Sequence, residues 1–200
     1  RLRAFCARMG ATVPQRKALV LKASRILLSE KPLPERLQAF LEALLEGPFP
    51  IRSGKLYLRK GEGLRLVAQL GGEAGGEEVA LSLEGGGRAL GRLSLRLAPA
   101  ASLAPEDRLA LEEAAGILAL ALLRERAERA ERVLRRAGEC ATQAAGEGAL
   151  LHKVCALLVE EGYALAWVGE ARPTGEVVPR EAAGAVGYLA LAGWLPLLAH

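Results

Sequence analysis

Leu90-Gly91-Arg92-Leu93-Ser94-Leu95-Arg96-Leu97 decides the fold of this chain. Leucine at 93, 95 and 97 alternates with arginine and serine, so the segment is a strand with one face buried and the other in water. Alternation of this kind belongs to an antiparallel sheet covered on one side. Downstream, Ala98-Pro99-Ala100 and Ser102-Leu103-Ala104 lead into Pro105-Glu106-Asp107. Proline and acids suit the first turn of a helix, where backbone N–H groups are unpaired and the helix dipole favours negative charge. That helix is expected to run through Leu109, Leu111, Ala115, Leu118 and Leu122.

Upstream, Glu84-Gly85-Gly86-Gly87-Arg88 reads as a hairpin turn from a partner strand over Glu78 to Leu83. Two further strands, Lys55 to Arg59 and Leu64 to Leu70, are joined by Lys60-Gly61-Glu62-Gly63, and a glycine-rich link at 71–76 separates the pairs. Two helices precede them. The first spans Gln15 to about Glu30, with Leu19, Leu21, Ile26, Leu27 and Leu28 apolar; Lys31-Pro32-Leu33-Pro34 interrupts it. The second has Pro34 in its first turn and an apolar face of Leu37, Phe40, Leu41, Leu44 and Leu45, and it ends at Gly47-Pro48.

Beyond Leu122 the pattern changes. Leu123, Ala127, Ala130, Leu134, Ala137, Ala141 and Ala144 fall in unbroken steps of four and three, the seam of a coiled coil. With Leu123 at heptad position d, Arg126 and Glu131 occupy g and e positions that attract each other across a parallel pair, twice by symmetry. A homodimer through parallel helices is the expectation. Alanine in place of leucine forfeits roughly 2 kcal/mol per seam position, at about 0.8 kcal/mol per buried methylene, so the seam is weak.

Gly146 and Gly148 break this helix, and a new amphipathic helix runs from Ala149 to Glu161 and stops at Gly162. Strands are predicted over Tyr163 to Gly169 and Val177 to Ala183, around the turn Arg172-Pro173-Thr174-Gly175. Helix, glycine, strand, turn and strand thus recur after about 110 residues, as in a tandem repeat. The expected organisation is an N-terminal segment at 1–14, a first domain at 15–123, a coiled-coil linker at 124–147 and the beginning of a second domain at 148–200.

The closing strand, loop and acid-led helix of the first domain resemble the GAF domain of bacterial signalling proteins. Cys155-Ala-Leu-Leu-Val-Glu-Glu-Gly-Tyr-Ala-Leu-Ala-Trp167-Val168-Gly169 is similar to the opening of GAF domains in sensor kinases and diguanylate cyclases. Val178-Pro179, Ala182, Ala183, Gly184, Gly187 and Tyr188 resemble the next strand and turn of that subfamily. The resemblance spans about residues 15 to 188. It implies an α+β, GAF-like antiparallel sheet with helices on one face, then a long signalling helix and the start of a second GAF-like domain. It also implies a regulatory, non-catalytic module whose output domain lies outside this segment.

The chain departs from ligand-binding members of that family. Only a short glycine-rich link stands where they carry pocket walls, and residues 54–104 contain neither cysteine nor histidine. Bilin attachment, cysteine-based reduction and iron binding in the first domain therefore lack their ligands. No cofactor, metal site or catalytic residue is expected. Two alternatives belong to other classes: a cysteine-dependent GAF-fold reductase and the effector domain of a transcription regulator.

Composition is consistent with this reading. The chain has 200 residues, is 51% apolar, and carries a net charge of +4 with 4% aromatics. Its arginines alternate with glutamates, as in Glu125 with Arg129, Glu128 with Arg132 and Glu131 with Arg135, so no basic stripe for nucleic acid forms. The apolar run Ile117 to Leu123 is far shorter than the ~20 residues of a membrane helix, and a cytoplasmic location is expected. Arg1 in place of methionine and the apolar Leu189 to Leu198 read as a segment of a longer protein.

Several residues with chemical potential have plainer readings. Cys6, Cys140 and Cys155 lack any CxxC spacing and read as small apolar helix residues. His152 stands alone on a helix, Trp167 reads as core, and Gly85 to Arg88 lacks the helix N-terminus that a phosphate loop needs. Glu73, Glu77 and Glu78 read as a solvated glycine-rich loop.

Overall fold

Thr12 opens the first ordered helix. Its N–H donates to the side-chain oxygen of Gln15 at 2.9 Å, one half of a capping box, and Val13–Leu27 follows as α1. The computed structural model describes residues 10–61, 63–72 and 75–185. The remaining elements are α2 (Leu33–Leu45), β1 (Ile51–Lys60), β2 (Gly63–Leu70), β3 (Glu78–Gly85), β4 (Arg88–Leu97), α3 (Pro105–Gln143), α4 (Glu147–Glu160), β5 (Leu165–Ala171) and β6 (Val177–Gly184). Two compact units divide the chain, Arg1–Glu125 and Arg126–His200, and α3 is one continuous helix through the boundary.

In the first unit the strands form an antiparallel sheet in the order β2-β1-β4-β3. Leu93, Leu95 and Leu97 of β4 pair across to β1 and β3 and are fully buried, as their alternation predicts. Val79, Leu81 and Leu83 of β3 and Leu56 of β1 join them, and α1, α2 and the first part of α3 close the core over that face. Phe40, Leu41 and Leu44 of α2 are at its centre. The β3–β4 turn is a tight hairpin, with Gly85 paired to Arg88 and both Gly86 and Gly87 at positive φ, the conformation that glycine adopts without strain.

The structure corrects the sequence reading at several points. β1 begins at Ile51, four residues before Lys55, because Gly54 permits a close approach of the strand to α2: a Cβ there would meet Leu41 at 3.1 Å and Leu95 at 3.3 Å. In α1 the buried residues are Leu19, Ala23 and Leu27, while Leu21 and Leu28 face water. Leu109 of α3 is 63% exposed; the buried face of that helix is Leu111, Ala114, Ala115, Leu118 and Leu122.

The second unit pairs β5 with β6 in an antiparallel hairpin, with α4 packed on it through Cys155 and Leu157, both buried. Gly162 ends α4 at positive φ, and the Tyr163 N–H reaches back to the carbonyl of Leu158. Within this unit Arg136 of α3 donates to Glu160 at 2.8 Å and Glu161 at 3.0 Å. Arg132, read from the sequence as part of a solvated helix face with Glu128, also lies 3.7 Å from the Glu161 carboxylate. Cys6, Glu73, Gly187, Tyr188 and Leu189 to Leu198 lie outside the described residues. Among the described residues, no helix is long and apolar enough to cross a membrane.

Candidate functional site

Two surfaces of this fold can interact with something else: the outer face of the first sheet and the outer face of α3. The sheet face follows from strand alternation. Lys55 and Tyr57 of β1, Arg92, Ser94 and Arg96 of β4, and Glu78, Ala80 and Ser82 of β3 point away from the helices. Leu64, Leu66 and Val67 of β2 are among the exposed apolar residues of the protein.

Glu78 organises the polar half of this face. Its carboxylate accepts from Arg92 at 2.9 Å, from Arg96 at 3.2 Å and from the Ser94 hydroxyl. This corrects the reading of Glu78 as a loop acid and bears out the strand expected to start there: it is the first residue of β3, held by three partners on β4. Glu77 lies one residue ahead of the strand, and its carbonyl accepts from the Leu97 N–H. The Ser94 hydrogen bond, with Arg92 and Arg96 adding to it, holds the pKa of Glu78 below the usual glutamate range. A carboxyl depressed in the folded state stabilises above its unfolded pKa and loses that contribution as pH falls through the folded value. Glu78→Gln is therefore expected to cost no more than about 1 kcal/mol at neutral pH, given its exposure. In acid-titrated urea melts, the two proteins should converge once the Glu78 carboxyl of the parent is protonated.

The face offers little to a small ligand. Arg92 and Arg96 share the Glu78 carboxylate, and among the described residues nothing groups three or more His, Cys, Asp or Glu for a metal ion. A shallow hollow lined by Glu128, Glu131, Arg132 and Arg135 consists of side chains of α3 alone. His152 is exposed and within 3.2 Å of the Glu181 carboxylate, a partner that its sequence position 29 residues away did not suggest. Trp167 corrects another expectation. It is 38% exposed, with its ring lying where a Cβ on Gly169 would stand, so it is not core.

Cys155 is 1% exposed, and burial, with the Glu181 carboxylate adding to it, pushes its thiol pKa up. This is opposite to what thiolate chemistry requires. Cys155 should remain unmodified by iodoacetamide at neutral pH in the folded chain while the partly exposed Cys140 is alkylated; peptide mass mapping reads both sites.

The second surface lies on α3. Its first part is fastened to the first unit at both ends. Near the N-terminus the buried carboxylate of Asp107 accepts from the Ala11 N–H at 3.2 Å and from Arg16 at 3.1 Å. At the other end Arg36 of α2 donates to Glu125 and also to the Leu27 carbonyl at 2.9 Å. Both pairs are largely buried. From there the seam positions are laid out along the helix. Ala127, Ala130, Leu134 and Ala141 are exposed, Leu134 at 73%, and Ala137 is half-buried. Leu123 is also half-buried, because it packs on the first core beside Gly85. Ala144 falls just past the last helical residue, Gln143, so of the predicted seam positions those up to Ala141 lie on the helix. Arg126 and Glu131 are exposed on its flanks.

A solved structure shares this architecture. A bacteriophytochrome from the photosynthetic bacterium R. palustris superposes with a TM-score of 0.50 at 14% identity, over 93% of this chain and 53% of its own. The fold is GAF-like. The chain thus spans about half the length of that protein. fRMsr of Staphylococcus aureus, in its reduced form and in complex with substrate, aligns over 54% of this chain at a TM-score of 0.47 and 14% identity. No protein-family model matches the chain, and no curated protein matches it.

Proposed function

We propose that this chain is a sensory relay segment of a bacterial signalling protein, non-catalytic and cytoplasmic, that dimerises through parallel copies of α3 and passes rearrangements to an output domain. The observation that carries this reading is the seam. A helix fixed to a GAF-like unit by the Arg36–Glu125 and Arg16–Asp107 pairs continues into a stretch where, among the described residues, Ala127, Ala130, Leu134 and Ala141 are exposed, Leu134 at 73%.

The alanine content suits a relay better than a strut. Small side chains give a shallow, nearly featureless seam, so two registers of the pair differ by only a few kcal/mol, as a switch requires. The fastened N-terminal part would convert a change in the GAF-like unit into rotation or sliding of the helix. The domain division proposed for the chain is a first GAF-like domain at 15–123, the signalling linker at 124–147 and the start of a second at 148–200.

Sedimentation of the full chain at micromolar concentration is expected to give a dimer, and Ala130→Glu with Ala137→Glu a monomer of unchanged secondary structure. A parent chain that sediments as a monomer at these concentrations overturns the reading.

A further inference from the structure

The outer face of the first sheet gathers charge of one sign. β1, β2 and β4 carry arginines and lysines but no acid. By strand alternation Lys55, Arg59, Arg92 and Arg96 stand on the outer side. Among the described residues the acids of this face, Glu78 and Glu84, are confined to the edge strand β3. Arg92 and Arg96 share Glu78, whereas Lys55 and Arg59 are on β1, with β4 between them and that carboxylate. Beside the cations runs an apolar strip. Leu66 pairs with Tyr57 and Leu64 with Arg59, so both leucines share the outer side with them, and they are 44% and 52% exposed. The solvent face of a sheet covered on one side is ordinarily polar throughout. Here it is divided into an apolar strip and a cationic one.

We infer that this face docks an acidic amphipathic helix of a partner protein, its apolar side on Tyr57, Leu64 and Leu66 and its carboxylates against Lys55, Arg59, Arg92 and Arg96. Charge selects the occupant, because a cationic face steers and holds an anionic one. The termini of this chain do not supply it: residues 1–9 and 186–200 contain neither aspartate nor glutamate. A second copy of the same face would set cation against cation. Nucleic acid would also answer the charge, but single-strand binders stack successive bases on aromatic rings, and Tyr57 is the sole aromatic residue of these four strands. Geometry favours a helix. Neighbouring strands lie about 4.8 Å apart and a helix is about 10 Å across, so a helix laid over β1 reaches β2 on one side and β4 on the other. Its anchors would follow the i, i+3, i+4, i+7 spacing. An added strand at the β2 edge fits less well, because the register passes from Ala68 to Leu66 and the bulge at Val67 interrupts the ladder.

The test titrates the full chain into a fluorescently labelled helical peptide of about five turns, with leucines along one side and glutamates flanking them, and reads anisotropy. The peptide is expected to bind, and to bind more weakly as salt is raised. A peptide of the same composition with its leucines scattered round the helix, and one with lysine for every glutamate, should each bind at least about tenfold more weakly. Lys55→Glu with Arg59→Glu, and separately Leu64→Gln with Leu66→Gln, should each weaken the parent peptide by roughly tenfold or more, with the circular dichroism and sedimentation of the chain unchanged. Absence of binding, equal binding of the scattered peptide, or binding untouched by both double variants overturns the proposal. Tighter binding of a labelled oligothymidylate, lost in the Lys55→Glu and Arg59→Glu variant, assigns the face to nucleic acid and overturns it as well. Altered sedimentation of the Leu64→Gln and Leu66→Gln variant assigns the face to contact between copies, with the same consequence.

Discussion

Phe40→Ala lowers the stability of the first unit by about 3–5 kcal/mol, because it removes a fully buried ring and leaves a cavity that the surrounding leucines fill only in part. Phe40 is 0% exposed at the centre of α2, in one cluster with Leu41, Leu44, Leu56 and Leu95. Amide hydrogen exchange on β1 and β4 measures the loss within the first unit, independently of the hairpin in the second. A change under about 1 kcal/mol would mean that α2 does not cover the sheet in the way described.

Asp107→Ala is expected to cost about 3–5 kcal/mol, for a different reason. Its carboxylate is 4% exposed, answers the N–H of Ala11 and is paired with Arg16. Deleting it leaves a part-buried guanidinium and a buried N–H without their acceptor, and an uncompensated charge is the larger of the two penalties. Asp107→Asn keeps an acceptor and should lose less. The decisive reading is local: the Ala11 amide should exchange much faster in Asp107→Ala. If its exchange rate is unchanged, the carboxylate does not hold the entry to α1.

These contacts also mark where sequence reasoning reaches its limit. The alternation at Leu93, Leu95 and Leu97, the acids that open α3 and the glycines that close α4 are local signals, and the elements form where those signals place them. Asp107 and Ala11 are 96 residues apart, and Arg36 and Glu125 are 89 apart. No local pattern announces such a pair. Glu125 was legible only as part of an arginine–glutamate alternation, and its buried partner on α2 depends on how the helices stack. Glu78 has two readings in the sequence, the start of a strand and a loop acid beside glycines, and the arginines of the neighbouring strand that fix it are outside any local pattern.

Trp167 and Leu109 mark a different limit. Trp167 reads as core from its place on a strand and Leu109 only as an apolar residue along a helix, but burial depends on which face of the element is covered. For Leu109 the phase of the helix was available. It falls in step with Leu123 and Leu134, not with Leu111 and Leu118, and following the seam upstream from Leu123 would have found it. For Trp167 on β5 no comparable signal exists, since its hairpin is built from short strands with little alternation.

The proposed seam comes from spacing, and the exposure of Leu134 supports it. Its most direct test is a distance measurement between copies of the full chain carrying one spin label each, at Leu134 in one preparation and at Ala141 in another. Parallel pairing through this face predicts an interhelical separation of about 8–10 Å at both positions, once the label arms are allowed for. No coupling between copies at either position, or a short separation at one and a long one at the other, would contradict it.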